Sequence, residues 1–182
     1  MPVLLDGHTG RVTIHSEHPF ATPDSERSPL RRLRGRLPQA VTVWTTGAGA
    51  AREGWTLSSV LVADGEPGEV LGLLDPDSDL AAELDPGTAL VVNVLDAGQR
   101  AVADAFARVA PSPGGPFRTG DWEQGPHGPR LLGAQGWLGV RVLDGPEVHV
   151  GWSLLVRAVV ETVELDADRS TLVHTRGRYS AG

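Results

Sequence analysis

The stretch Gly54-Trp55-Thr56-Leu57-Ser58-Ser59 follows a glycine- and alanine-rich segment, Gly47 to Ala51, and runs directly into the apolar Val60-Leu61-Val62. Three hydroxyls and several backbone N–H groups are thereby set at the mouth of a strand. Such groups bind a phosphate, or the polar edge of a flat heterocycle, without a compensating charge, and a glycine lets a ligand come close. The chemistry on offer is recognition, not bond-making. The same residues equally suit a Ser/Thr-rich turn that caps a strand and binds nothing.

Upstream, Val41 to Thr46 carries β-branched residues at 41, 42, 43, 45 and 46, in the alternation of a half-buried strand. Downstream, Leu57 to Ala63 and Val70 to Leu74 read as strands joined by the turn Asp64-Gly65-Glu66-Pro67-Gly68. Asp75-Pro76-Asp77-Ser78-Asp79 ends a strand and caps a short helix over 80–84. Ala89 to Leu95 is nearly continuous in apolar residues, as a strand covered on both faces is. Asn93 within it either contacts a ligand or bridges strands in the core. Val102, Phe106 and Val109 give a helix over 98–109 its apolar stripe. Residues 131–143, 147–164 and 172–175 are strand-like, with a bend near Gly151 and with Gly133, Gly136 and Gly139 where another backbone approaches or the sheet bends. Short strands, few helices and frequent turns predict a mainly β fold with a few helices, built as a barrel or a sandwich.

Residues 1–27 alternate short apolar pairs with Pro- and His-bearing turns and read as an N-terminal arm, leaving one domain over 28–182. Ser28 to Leu37 opens like a helix, with a serine cap, Pro29 at the first helical position and leucines at 30, 33 and 37 on one face. The five arginines from Arg27 to Arg36 then form the solvated back of that helix, because the chain carries a net charge of −7 and no aromatic residues interleave. That charge also argues against nucleic acid and anionic membrane as partners. With no basic, apolar leader and no run of roughly 20 apolar residues, a cytoplasmic protein is expected. The absence of cysteine excludes disulfides, thiolate metal sites and cysteine nucleophiles. The six histidines lack HxH or HExxH spacing, so no metal site is expected. Residues 111–130 are too rich in proline and glycine for regular structure, and Phe117 and Trp122 there either fold over a planar ligand or anchor a surface crossover. No GxSxG, Walker loop or GxGxxG motif is present, and without cysteine any redox chemistry must come from a bound cofactor.

Taken in order, Leu37-Pro38-Gln39-Ala40-Val41-Thr42-Val43-Trp44-Thr45-Thr46, the hydroxyl stretch, Leu73-Leu74-Asp75-Pro76-Asp77-Ser78, Val92-Asn93-Val94-Leu95, His149-Val150-Gly151 and Arg176-Gly177-Arg178-Tyr179 resemble the flavin reductase-like family of FMN-binding split β-barrels. Each motif is weak alone; their order and spacing over residues 28–180 carry the resemblance. It implies that Trp55, Thr56, Leu57, Ser58 and Ser59 hold the flavin and that Asp75 and Ser78 touch it. It places Gln99 and Phe106, against a plain reading of Phe106 as core, on the flavin side of their helix. It sets His149 beside the flavin, where it contacts a nicotinamide or orients the substrate. Many members carry a basic residue after the matching serine, whereas this chain has Asp79, so a flavin phosphate needs another cation, Arg52 or Arg100. Arg178 and Tyr179 either meet nicotinamide, flavin or phosphate, or form a solvated end.

The function so implied is an NAD(P)H-dependent flavin reductase, passing hydride from nicotinamide to FMN or FAD with no side chain acting as acid, base or nucleophile. It works alone or as the reductase component of a two-component monooxygenase. The alternatives, both prompted by Asp79, are a non-catalytic flavin-binding protein and a split-barrel relative that uses F420. The resemblance also implies a homodimer with flavin near the interface, for which the five tryptophans are candidate anchors.

Overall fold

The computed structural model describes residues 28–182, and the N-terminal arm expected over 1–27 lies outside them. In chain order the elements are α1 (Pro29–Arg34), β1 (Gln39–Ala40), β2 (Thr42–Thr46), β3 (Glu53–Leu57), β4 (Val60–Ala63), β5 (Glu69–Leu74), β6 (Ala89–Val94), α2 (Arg100–Phe106), β7 (Trp122–Gly125), β8 (Gly128–Leu131), β9 (Gly136–Val142), β10 (His149–Val150), β11 (Ser153–Leu165), β12 (Leu172–Thr175) and β13 (Arg178–Ala181). No described helix is long and apolar enough to cross a membrane.

An eight-stranded antiparallel sheet runs in the order β3-β2-β6-β9-β11-β5-β4, with β10 paired to β11. Its two edge strands, β3 and β4, are consecutive and joined only by Ser58 and Ser59. So short a link forces the sheet to curl until its edges meet, and the Leu73 N–H, donating to the Ser59 carbonyl at 3.0 Å, continues the β4–β5 ladder into the link. This is the split barrel expected from the sequence. Strands β1, β12 and β13 form a small second sheet, and β7 with β8 forms a hairpin.

Strand alternation sorts the core in two. Trp44, Leu57, Val70, Leu74, Leu90, Val92, Leu138 and Val140 fill the barrel interior. On the outer side, Val43 meets Val102, Ala103 and Phe106 of α2, along with Leu131 and Leu172. Strand β2 looks into both clusters, which is why all five of its residues are buried rather than alternate ones as its pattern suggests. Asn93 takes the bridging role: its amide donates to the Val43 carbonyl at 3.0 Å and to Thr45 Oγ1 at 3.2 Å, and its Oδ1 accepts from the Leu131 N–H at 2.8 Å.

Four expectations change. The strand expected over 57–63 breaks at Ser58-Ser59, and the one expected over 131–143 breaks after Leu131. Within the Pro/Gly-rich stretch, a β hairpin forms because His127 seats against Gly139, where a Cβ would lie 2.6 Å from the imidazole Nδ1. Helix α1 is capped as expected, Ser28 Oγ accepting from the Arg31 N–H at 3.3 Å, but Leu30, Leu33 and Leu37 remain exposed. Polar contacts, not its leucines, hold that helix to the domain.

Candidate functional site

The two faces of β3 divide the hydroxyl stretch. Trp55 and Leu57 point toward the barrel interior, while Gly54 and Thr56 face α2. A Cβ on Gly54 would stand 2.7 Å from Phe106 Cε1, and Thr56 Oγ1 donates to the Ala103 carbonyl at 2.8 Å. The expectation of three hydroxyls at a strand mouth is therefore corrected to two, Ser58 and Ser59, since the strand continues through Leu57. Ser59 Oγ accepts a hydrogen bond from Arg34 Nη2 at 2.8 Å, which docks α1 over the loop.

Beyond Arg34 the same surface leads to the β12–β13 hairpin, and the ground between them is the candidate groove. Arg176 and Gly177 turn the chain with φ of 53° and 74°, the paired left-handed turn that matches strand twist. The turn aligns His174 opposite Tyr179, and the Arg176 N–H donates to the Gly35 carbonyl at 2.6 Å, tying the hairpin to the end of α1. The Tyr179 hydroxyl donates to Asp104 Oδ1 at 3.0 Å; Arg100 lies 3.5 Å from Asp104 and 5.3 Å from the Tyr179 ring centroid. Burial, then the Asp104 carboxylate, pushes the Tyr179 phenol well above its ordinary value. Burial, then the Arg34 guanidinium, holds the His174 imidazole below its usual range, with Asp104 opposing. From the sequence reading, Ser59 beside Ser58 meets Arg34, and Arg100 and Tyr179 meet at Asp104; His174 links the two groups, and Arg34, Asp104 and His174 are residues that reading passed over. The arginine run and the Arg-Gly turn were the available signals for two of these.

The remaining expected residues lie in other settings. Ser78 is buried and caps a turn, donating to the Asp75 carbonyl at 2.6 Å and accepting from the Ala81 N–H at 3.3 Å. Asp75 Oδ1 accepts from the Asp77 N–H at 3.0 Å. Gln99 accepts from the Asp96 N–H and donates to the Leu132 carbonyl, each at 3.0 Å. Phe106 is fully buried, with ring centroids of Phe117 and Trp122 at 4.9 and 5.2 Å, so those two aromatics act as anchors of the crossover. Asp79 meets Arg108 at 2.6 Å, and that guanidinium stands 5.9 Å from the Trp55 ring centroid. His149 is exposed at the sheet edge, 2.8 Å from Glu147, and Arg178 is exposed. Neither joins the groove. Surface cavities of about 500 and 190 Å³, lined by residues such as Asp168 and Trp137, share none of the converging residues.

The groove presents neutral hydroxyls, a guanidinium and aromatic or imidazole faces, a donor set suited to the phosphate and ring of a flavin nucleotide. A family model for the flavin reductase like domain matches residues 34–182. The FMN reductase (NADH) RutF of Ancylobacter novellus is 31% identical over 160 residues, covering 87% of each chain. Among solved structures, the Streptomyces globisporus NADH:FAD oxidoreductase SgcE6 in complex with NAD and FAD fragments superposes with a TM-score of 0.75 at 28% identity, over 87% of this chain and 93% of that one. BorF, the flavin reductase component of a bacterial two-component tryptophan halogenase, does so with a TM-score of 0.72 at 25% identity, over 84% of this chain and 95% of that one.

Proposed function

The chain belongs to the flavin reductase-like family and is a flavin reductase driven by a reduced nicotinamide nucleotide, and we propose that it holds its flavin in the groove between α1, the Ser58-Ser59 link, α2 and the β12–β13 hairpin. The observation that carries this placement is that two contact groups, Arg34 with Ser59 and Arg100 with Asp104 and Tyr179, are bridged by His174, which feels the Arg34 charge and pairs with Tyr179. A bound flavin supplies the hydride acceptor at its N5. The protein's share is then to bind and orient. Ser58 and Ser59 offer hydroxyls, Arg34 offers charge, and Tyr179 with His174 offers flat faces, their ring centroids 5.3 Å apart. No side chain of the groove is needed as acid, base or nucleophile.

The relatives named above support NADH as the donor and either FMN or FAD as the acceptor. BorF supports a place as the reductase half of a pair whose other member is a flavin-dependent oxygenase. A cytoplasmic location follows from where nicotinamide nucleotides are kept reduced. His149 and Arg178, exposed and outside the groove, are reserved for the nicotinamide side.

The functional unit in this reading is a homodimer. Leu30 and Leu33 on α1, Leu61 on β4 and Trp152 at the start of β11 are 76%, 58%, 70% and 81% exposed. Arg34 on Ser59 and Arg31 over Trp152, 5.1 Å from the ring centroid, bind their elements into one surface. A second copy covering that surface would wall the groove. Absorbance of the purified protein with added FMN or FAD under nitrogen, before and after NADH, is the test: bleaching of the flavin band is expected. No consumption of NADH or NADPH with FMN, FAD or riboflavin, with or without air, overturns the activity.

A further inference from the structure

Several arginines flanking β3 and α2 already have partners. Arg108 meets Asp79 at 2.6 Å and Arg100 meets Asp104 at 3.5 Å. Arg52 donates to the Gly49 carbonyl at 3.0 Å and lies 4.7 Å from the Phe117 ring centroid. Arg34 is held by the hydroxyl loop itself, its hydrogen bond going to the neutral Ser59 Oγ at 2.8 Å. Among the described residues no carboxylate pairs with it, nor with Arg31, Arg32 or Arg36. Like charges three apart on a helix repel, and among the described residues no carboxylate offsets this for Arg31 and Arg34. In a chain of net charge −7 this concentration of unmatched guanidinium is anomalous, and an anion at the groove relieves it.

Ser59 completes a receptor for that anion. Accepting from Arg34 leaves its own O–H free to donate, and Ser58 Oγ has no hydrogen-bond partner among the described residues. A guanidinium flanked by two hydroxyls is a charge-assisted donor set for phosphate oxygens. We propose that Arg34, with Ser58 and Ser59, holds the flavin's phosphate, the monoester of FMN or the pyrophosphate of FAD. The proposal rests on the flavin-reductase reading above. It moves the phosphate cation away from Arg52 and Arg100, where the sequence alone sought it. It also removes the difficulty of Asp79, whose charge Arg108 already meets.

FMN and riboflavin differ only by the phosphate, so they form the test. Each is titrated into wild type, Arg34→Ala, Arg34→Lys and Arg32→Ala, with quenching of flavin fluorescence as the readout. Arg34→Ala is expected to weaken FMN by about tenfold or more while leaving riboflavin within about twofold, since the contact it removes from the ligand is the charge-assisted one to phosphate. Retained riboflavin binding also reports that the variant is folded. Arg34→Lys recovers part of the FMN affinity, and Arg32→Ala keeps most of it. Equal weakening of FMN and riboflavin in Arg34→Ala makes Arg34 a loop brace and overturns the proposal, as does undiminished FMN binding. A wild type that prefers FMN no more than riboflavin overturns it too while sparing the flavin-reductase reading. A wild type that binds neither flavin overturns both.

Discussion

Tyr179 donates its hydroxyl to Asp104 Oδ1 at 3.0 Å, fastening the β12–β13 hairpin to α2. It is the only tyrosine in the chain, so phenolate absorbance reads this contact alone. Its folded pKa is raised above the unfolded value of about 10 by burial and then by Asp104. An acid of that kind stabilises the native state fully below its unfolded pKa, and the contribution is lost as pH climbs toward the folded one. The native phenol is therefore expected to remain protonated well above pH 10, while the denaturant-unfolded chain titrates near the ordinary value. Tyr179→Phe should lose about 1 kcal/mol at neutral pH and show a flatter decline in Tm on the alkaline side. A native phenol that ionises at the unfolded value refutes the account.

Thr56 offers a sharper division between structure and binding. Its hydroxyl is directed to the Ala103 carbonyl at 2.8 Å, so Thr56→Val should cost about 1 kcal/mol of stability and leave flavin affinity nearly unchanged. Gly54→Ala, on the same face, drives a methyl to 2.7 Å from Phe106 Cε1 and should cost about 1–3 kcal/mol through overpacking. Urea unfolding beside a flavin titration checks both. A Thr56→Val protein of full stability but poor affinity would show the hydroxyl facing the ligand.

These residues mark how far the chain could be read before folding. The β-branched alternation of Val41 to Thr46 and the apolar run of Ala89 to Leu95 identify barrel strands, because burial acts on neighbours in sequence. Gly136 reads correctly as a point where another backbone comes close, the Glu164 carbonyl, whereas Gly139 makes room for the His127 ring, which the reading did not foresee. The direction of Thr56 depends on a carbonyl 47 residues away, which no local pattern contains. The role of Arg34 depends likewise on Ser59, 25 residues on, and on which other arginines find carboxylates. The pairing of His174 with Tyr179 was closer to hand, since an Arg-Gly pair between β-like residues is a hairpin turn signal.

Glu161 controls a different hinge. Its carboxylate receives Arg141 Nε at 2.8 Å and faces His127 Nε2 at 2.7 Å, so the β7–β8 hairpin is clasped to the sheet. The bond to Arg141, then that to His127, holds its pKa down to about 2. A depressed carboxylate contributes stability that is present above its unfolded pKa and lost as pH falls through the folded value. The clasp is thus expected to loosen between about pH 4.5 and pH 2. Once the pH dependence of the intrinsic rate is divided out, hydrogen-exchange protection at 122–131 should fall over that window in wild type, whereas Glu161→Gln should show low protection already at neutral pH. Equal exchange in the two proteins at neutral pH would remove Glu161 from this role.

Trp152 tests the assembly. At 81% exposed its side chain contributes little to the fold of one copy, so Trp152→Ser should keep the monomer's Tm. If a second copy covers α1, β4 and the start of β11, truncating a tryptophan anchor should cost about 2 kcal/mol or more of dimerisation energy. Adding Leu61→Asp places a carboxylate in the same apolar surface and should complete the dissociation. Light scattering across a dilution series supplies the mass, with 19.2 kDa for one chain. Wild type should give twice that value and the double variant the single value, with FMN affinity falling in step because the groove loses a wall. A wild-type protein that stays at the mass of one chain at all concentrations rules the dimer out, and the groove would then have to serve flavin while open to water on that side.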